Sequence, residues 1–193
     1  MKTQDTIRLF KTPKTDSFLV DMMKIHYSKP KGFVGRSICY SINFNNVYYG
    51  HIIGGSSTLH LAGRDEFFNL TKENKKENLR KIVNNIFYHI EKRRGKYPIR
   101  NFTSKVLKTF CNTIAKDWEA KYGDEVIGFE SLVELPRAGD LYLKDKWIEV
   151  GKTKGQTCKR TKGNGSDSWS GRRVWDTKNL KPKRVFCKHI KEI

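Results

Sequence analysis

Residues 81–91, "KIVNNIFYHIE", 101–123, "NFTSKVLKTFCNTIAKDWEAKYG", and 125–135, "EVIGFESLVEL", decide the architecture. The first stretch has the β-branched and aromatic content of a strand. In the second, Val106, Leu107, Phe110, Ile114, Trp118 and Tyr122 recur at helical spacing, with Asn101 or Thr103 placed to cap the helix and Gly123 to stop it. The third is again a strand. With the basic turn "KRRGKYPIR" (92–100) between the first two, the run forms a strand–helix–strand crossover.

Upstream, "TDSFLVDMMKIHY" (15–27) predicts a helix capped by Thr15 or Asp16 and ended by "SKPKG". "RSICYSINFNNVYYGHIIGG" (36–55) predicts a hairpin turning at "NFNN". "LAGRDEFFNL" holds a short helix, and "TKENKKENLRK" is a charged connector. Downstream, "GDLYLKDK" is long enough for about two helical turns and "WIEVG" for a strand, giving a compact mixed sheet. Residues 151–193 begin as a Gly-, Ser- and Lys-rich loop, in which "RRVW" and "KRVFCKHI" supply a last pair of edge strands. A single domain of 193 residues follows, with residues 151–193 a basic, partly irregular segment.

The formal net charge is +19, and residues 151–193 carry 13 Lys and Arg against three Asp and Glu. A polyanionic partner relieves the self-repulsion of such a chain, which favours nucleic acid over a membrane surface or a merely solvated basic face. Trp169, Trp175 and Phe186 are interleaved with the charge and are candidates to stack on bases, or else to pack against the body of the domain. Cys39, Cys111, Cys158 and Cys187 form no CxxC pair, so neither a zinc knuckle nor a redox dithiol is signalled. With no apolar run of membrane-spanning length and no signal peptide, the expectation is a soluble cytosolic protein.

The order of the helix "NFTSKVLKTF", the strand "VIGFESLVEL" and the segment "AGDLYLKDKWIEVG" resembles GNAT acyltransferases, with Ala138, Tyr142 and Trp147 at the positions of that pattern. Segments including "HYS" (26–28), "GHIIGGSS", "VNNIFYHIE", "DWEAKYG" and "RRVWDTKNLKPKRVFCK" extend the resemblance, specifically to the Mom family of phage DNA-modification proteins and more loosely to the GNAT-like DUF4338 proteins of anti-phage systems. The resemblance implies an α/β, GNAT-like, mostly antiparallel sheet flanked by helices, with a basic C-terminal extension. It also implies modification of the adenine N6 amine in duplex DNA to a carbamoylmethyl adduct, with acetyl-CoA and possible iron as cofactors. The setting implied is the cytoplasm of a phage-infected or lysogenic bacterium, where the adduct shields phage DNA from restriction. The chain departs from the GNAT pattern in having "RRGKYPIRNFTS" where a glycine-rich pyrophosphate loop is usual.

The exposed N–H groups expected near Asn101, Thr103 and Ser104, with Arg100 beside them, are suited to the cofactor's phosphates, although the same basic loop is also suited to DNA phosphate. In an acyl-transfer frame Tyr142 protonates a departing thiolate or orients the thioester. The resemblance points to His26 and Tyr27 as active-site residues. Glu134 is a base or, with His26, a metal ligand; Glu130, four residues earlier, turns to the same side of the strand. Asn84 and Asn85 interrupt a strand and can bond a pantetheine chain or an adenine edge, unless they mark a bulge. Ser56 follows two glycines and is a candidate substrate contact. Arg64, Arg93, Arg94, Lys152, Lys154, Lys159, Arg160, Arg172 and Arg173 are expected to meet phosphates, and Trp169 to contact the substrate. The adenine amine is engaged in pairing, so access requires base flipping. The sequence leaves the oligomeric state open, a homodimer included. Its rivals to DNA modification are N-acyl transfer to another amine and non-catalytic DNA binding.

Overall fold

The computed structural model describes residues 6–30, 32–33, 35–160, 173–176, 178 and 180–193. The strands are β1 (Ile7–Thr12), β2 (Ser37–Phe44), β3 (Val47–Ser56), β4 (Ile82–Ile90), β5 (Gly128–Glu134), β6 (Ile148–Lys152), β7 (Thr157–Arg160), β8 (Arg173–Asp176) and β9 (Lys183–His189). The helices are α1 (Ser17–Ile25), α2 (Ala62–Phe67), α3 (Lys75–Asn78), α4 (Phe102–Tyr122) and α5 (Asp140–Lys144). Seven strands form one sheet in the order β1-β2-β3-β4-β5-β9-β6, and β7 and β8 form a separate ribbon. Every pair in the main sheet is antiparallel except β4–β5, the pair joined by the α4 crossover.

Local sequence explains the elements. Asn45 and Asn46, at φ 48° and 63°, close the β2–β3 hairpin in the left-handed region that asparagine tolerates. Asp16 caps α1 by accepting the Leu19 amide at 3.0 Å, and Gly123 ends α4 at φ 71°. Asn101 precedes α4 as expected, but at φ 57° and without a side-chain cap.

Alternate residues of each strand feed opposite faces. Ile38, Tyr40, Val83 and Phe186 join Phe102, Val106, Phe110, Ile114 and Trp118 in the core beneath α4. Cys39, Ile53 and Phe87 pack under α1, while Ile82, Val185 and Cys187 pack with Leu61 and Phe68 at α2. Val83 and Phe87 are four residues apart yet lie on opposite faces. The cause is a bulge: Ile53 pairs with Phe87 and Gly54 with Asn85, so Ile86 is an extra residue that inverts the strand's parity.

The C-terminal residues correct one expectation. "KRVFCKHI" is not an edge strand: β9 lies between β5 and β6, and β8 pairs with β7. The N-terminal strand β1, unread in the sequence, forms one edge of the sheet, and β6 forms the other.

Candidate active site

The parallel pairing of β4 with β5 extends only over Ile82↔Gly128, Val83↔Phe129 and Asn84↔Glu130. Beyond it both strands continue, β4 to Ile90 along β3 and β5 to Glu134 along β9, so their facing edges part into a wedge. A cavity of about 250 Å³ occupies this wedge, with Phe87 and Tyr88 on one wall, Ser131 and Val133 on the other, and Tyr142 of α5 among its lining.

Gly139 sets α5 in place. It takes φ 77°, and a Cβ there would strike the Phe186 ring. Tyr142 stacks on the same ring at 5.4 Å and is buried. Its hydroxyl donates to Asn85 Oδ1 at 2.7 Å and accepts from Ser131 Oγ at 2.8 Å. The Asn85 amide nitrogen donates to the carbonyls of Ile53 and Phe87 at 3.2 and 3.1 Å, spanning the bulge. One asparagine thus holds the distorted strand and the tyrosine together. Burial raises the Tyr142 pKa, opposed by the Ser131 hydrogen bond, so the hydroxyl stays protonated at neutral pH.

His26 and Tyr27, at the end of α1, line the same cavity, and Arg137 lies 3.5 Å over the Tyr27 ring. His26 Nδ1 accepts the Ser28 amide at 3.3 Å and meets Ser28 Oγ at 2.8 Å, and the ring packs on Phe87 of β4 with centroids 4.6 Å apart. Burial, then His89, lowers the His26 pKa to about 4, so it is neutral at physiological pH. Burial raises the Tyr27 hydroxyl, with Arg137 opposing and Glu134 assisting.

The expected iron does not fit. His26 Nδ1 is committed to Ser28, and Arg137 brings positive charge to the cavity. Among the described residues no group of three His, Cys, Asp or Glu is arranged to hold a metal. Glu134 lines a neighbouring groove with Lys152, Lys154, Lys181 and Lys183 instead of the cavity containing His26.

A CoA-type cofactor does fit. The unpaired β4 edge offers backbone groups to an amide chain, and the Tyr88 hydroxyl donates to the Thr103 carbonyl at 2.7 Å, tying the first turn of α4 to this wall. The first amides of α4, around Thr103 and Ser104, have no side-chain cap from Asn101, and Arg100 is exposed beside them. Asn101 in the left-handed region provides the bend that a glycine provides in the usual loop.

The remaining expected residues are distributed elsewhere. Arg64 is corrected from a phosphate contact to a fully buried group, ion-paired with Glu130 and with Asp65 at 2.7 Å. Burial raises the Glu130 pKa against the opposing effect of Arg64. Asn84 is buried at the vertex of the wedge, paired with Gly55 and Glu130, and does not line the cavity. Ser56 bonds the Arg36 amide at 3.2 Å at the far end of β3. Arg93 donates to the Tyr48 carbonyl at 2.9 Å, and Arg94 is exposed in the adjoining turn. Phe186 is a core residue, which removes it from base stacking. Lys159, Arg160, Arg173 and Trp175 lie on the β7–β8 ribbon, whose side chains are outside the description; Trp169 and Arg172 lie outside the described residues altogether. Sequence reasoning missed Ser131 and Arg137. Ser131 interrupts the apolar "FESLV" pattern, and Arg137 follows the proline that ends the strand.

The family model of the Druantia protein DruA matches residues 3–159. No curated protein matches the chain in sequence. Among solved structures, a GNAT family acetyltransferase from Elizabethkingia anophelis with acetyl-CoA bound aligns at TM-score 0.55 and 10% identity, over 96% of this chain and 99% of that one. Arabidopsis thaliana NAA60 in complex with acetyl-CoA aligns at 0.51 and 14%, over 96% and 99%. A GNAT acetyltransferase from Streptococcus pneumoniae aligns at 0.51 and 13%, over 95% and 99%. These likenesses establish the GNAT fold; the matched family model is DruA and not Mom.

Proposed function

From the premise that this chain belongs to the Druantia protein DruA family, we propose that it is an acyl-CoA-dependent transferase acting on a nucleic-acid amine, with the N6 amine of adenine in duplex DNA as its target. The observation carrying the transferase reading is the β4–β5 wedge with the Tyr142–Asn85–Ser131 array among its lining. Two of the aligned structures contain acetyl-CoA, and the wedge has the open strand edge and helix start that such a cofactor requires.

The edge of β4 and the first turn of α4 would hold the cofactor, with Arg100 near its phosphates. When bound, acetyl-CoA supplies an acyl thioester. Tyr142 keeps a proton at its oxygen beside the wedge, and Asn85 and Ser131 fix that oxygen. Turning the O–H away from Asn85 presents the proton to a leaving group, while Ser131 continues to donate to the oxygen. His26 braces the β4 wall by packing on Phe87, and the aromatic and apolar lining excludes water. Glu134, in the lysine-lined groove, is the candidate to accept the proton of an incoming amine.

Nucleic acid is favoured as the acceptor by the charge of +19 and by that groove. Adenine and a carbamoylmethyl product come from the Mom resemblance; that product is an alkyl amide, so simple acyl transfer would instead leave an acetyl group. Plasmid DNA from cells expressing the protein, digested to nucleosides and examined by mass spectrometry, should contain a modified deoxyadenosine whose added mass identifies the group. Unmodified deoxyadenosine, with Tyr142→Phe indistinguishable from the parent protein, removes the DNA-modification reading.

A further inference from the structure

A second cavity lies away from the wedge. It measures about 850 Å³ and is bounded by Leu59, Leu79 and the Trp118 edge below, with Lys72, Lys76 and Arg80 at its rim. Its size is that of a site for a drug-sized ligand. Leu59 is 67% exposed at its mouth, an apolar surface open to a ligand. His60 lines both this cavity and the groove containing Glu134, and Leu132 lines both that groove and the wedge. The three openings are therefore neighbours in series, a course along the sheet.

Lysines dominate two of the three openings, with Glu134 as the carboxylate in the middle one. Lys72 and Lys76 stand at the far end of the course, and Lys152, Lys154, Lys181 and Lys183 along its middle. Among the described residues none of these six ammonium groups forms an ion pair, whereas Lys75 nearby is held by Asp65 at 2.6 Å and Arg80 by Asp124 at 3.2 Å. The far cavity borders the start of β4, level with Gly128, and Glu134 lies six residues further along β5, a span of about 20 Å. One phosphate cannot reach across such a span; a chain of phosphates can.

We propose that this course is the seat of a nucleic-acid strand leading away from the wedge. Successive phosphates lie on the six lysines, and the apolar far cavity takes one nucleotide of the flanking sequence. The assignment rests on the nucleic-acid reading above and extends it from one groove to a path with a defined end. It places the residues that set the length of the footprint on α3 and the segment before it, outside the reaction centre.

Binding of a fluorescein-labelled DNA duplex, and separately of its single strand, should be measured by anisotropy across a salt series. The proteins compared are the full chain, Lys72→Gln/Lys76→Gln, Lys152→Gln/Lys154→Gln and, as a control for charge alone, Lys105→Gln/Lys108→Gln on the exposed side of α4. Each course variant should weaken binding at least tenfold more than the control and lower the log–log salt slope by about 1.8 for duplex, or about 1.4 for single strand. Leu59→Glu should weaken binding with the lysines intact, and circular dichroism would confirm that the variants fold. Equal losses in all three double variants overturn the path while leaving the proposed function standing. Displacement of DNA from the far cavity by free CoA, lost in Lys72→Gln/Lys76→Gln, assigns that cavity to the cofactor and also overturns the path. Absence of DNA binding by the parent protein overturns both readings.

Discussion

The two ends of the β4–β5 pair solve opposite problems with similar polar materials. Where the strands are joined, Arg64 and Glu130 are wholly buried and ion-paired, and the Thr58 amide also donates to Glu130 at 2.8 Å. Where they part, Tyr142, Asn85 and Ser131 form a neutral network beside an open cavity. The fully buried ion pair is confined to the closed end, where a partner is permanently present. The open end uses neutral groups that can exchange one hydrogen-bond partner for another without leaving an ion bare. Stability and chemistry are thereby separated along one pair of strands.

The largest effect that would break this contrast is at the closed end. Arg64→Ala leaves Glu130 buried without its cation and should cost about 3–5 kcal/mol in urea unfolding. A loss below about 1 kcal/mol would show the pair to be dispensable. At the open end, Tyr142→Phe should reduce turnover about 10²–10⁴-fold while costing only about 1–3 kcal/mol of stability, through the unpaired Asn85 and Ser131 groups. Equal activity in the two proteins would make the tyrosine structural. Asn85→Ala should impair both properties, since it removes the bridge across the bulge along with the tyrosine's acceptor; chemical denaturation and turnover measured together separate these effects.

A smaller effect concerns pH. His26 has a pKa of about 4 folded against 6.5 unfolded, so the unfolded chain binds the additional proton between those values. Its contribution to stability is present above about 6.5 and declines as pH falls toward 4. His26→Gln should flatten that part of the stability–pH curve, and an unchanged curve would place the titration elsewhere.

The fold was legible because its deciding stretch is local: apolar spacing gives α4, and the strands around it follow from residue type. The β2–β3 turn was readable from its asparagines, whereas Tyr142 was singled out only by the resemblance to the GNAT pattern. What escaped depends on distant partners. Arg64 looks like a surface cation until Glu130, 66 positions away, is placed against it. Asn85 can be suspected of marking a bulge, but its bond to Tyr142 spans 57 positions and has no sequence spacing. His26 and Glu134 seemed a ligand pair by residue type, but Glu134, at the end of β5, lines the neighbouring lysine groove, a placement that depends on β6 and the approach to β9. The lysine course likewise joins residues from α3, β6 and the approach to β9.

The insertion of β9 between β5 and β6 also constrains synthesis. On the ribosome, β5 and β6 emerge first and must wait with a gap between them until Lys183–His189 arrive. Until then Tyr142 lacks Phe186, the ring on which it stacks. A nascent chain can therefore assemble the α4 crossover early, whereas the Tyr142 ring gains its stacking partner only once β9 is in place between β5 and β6.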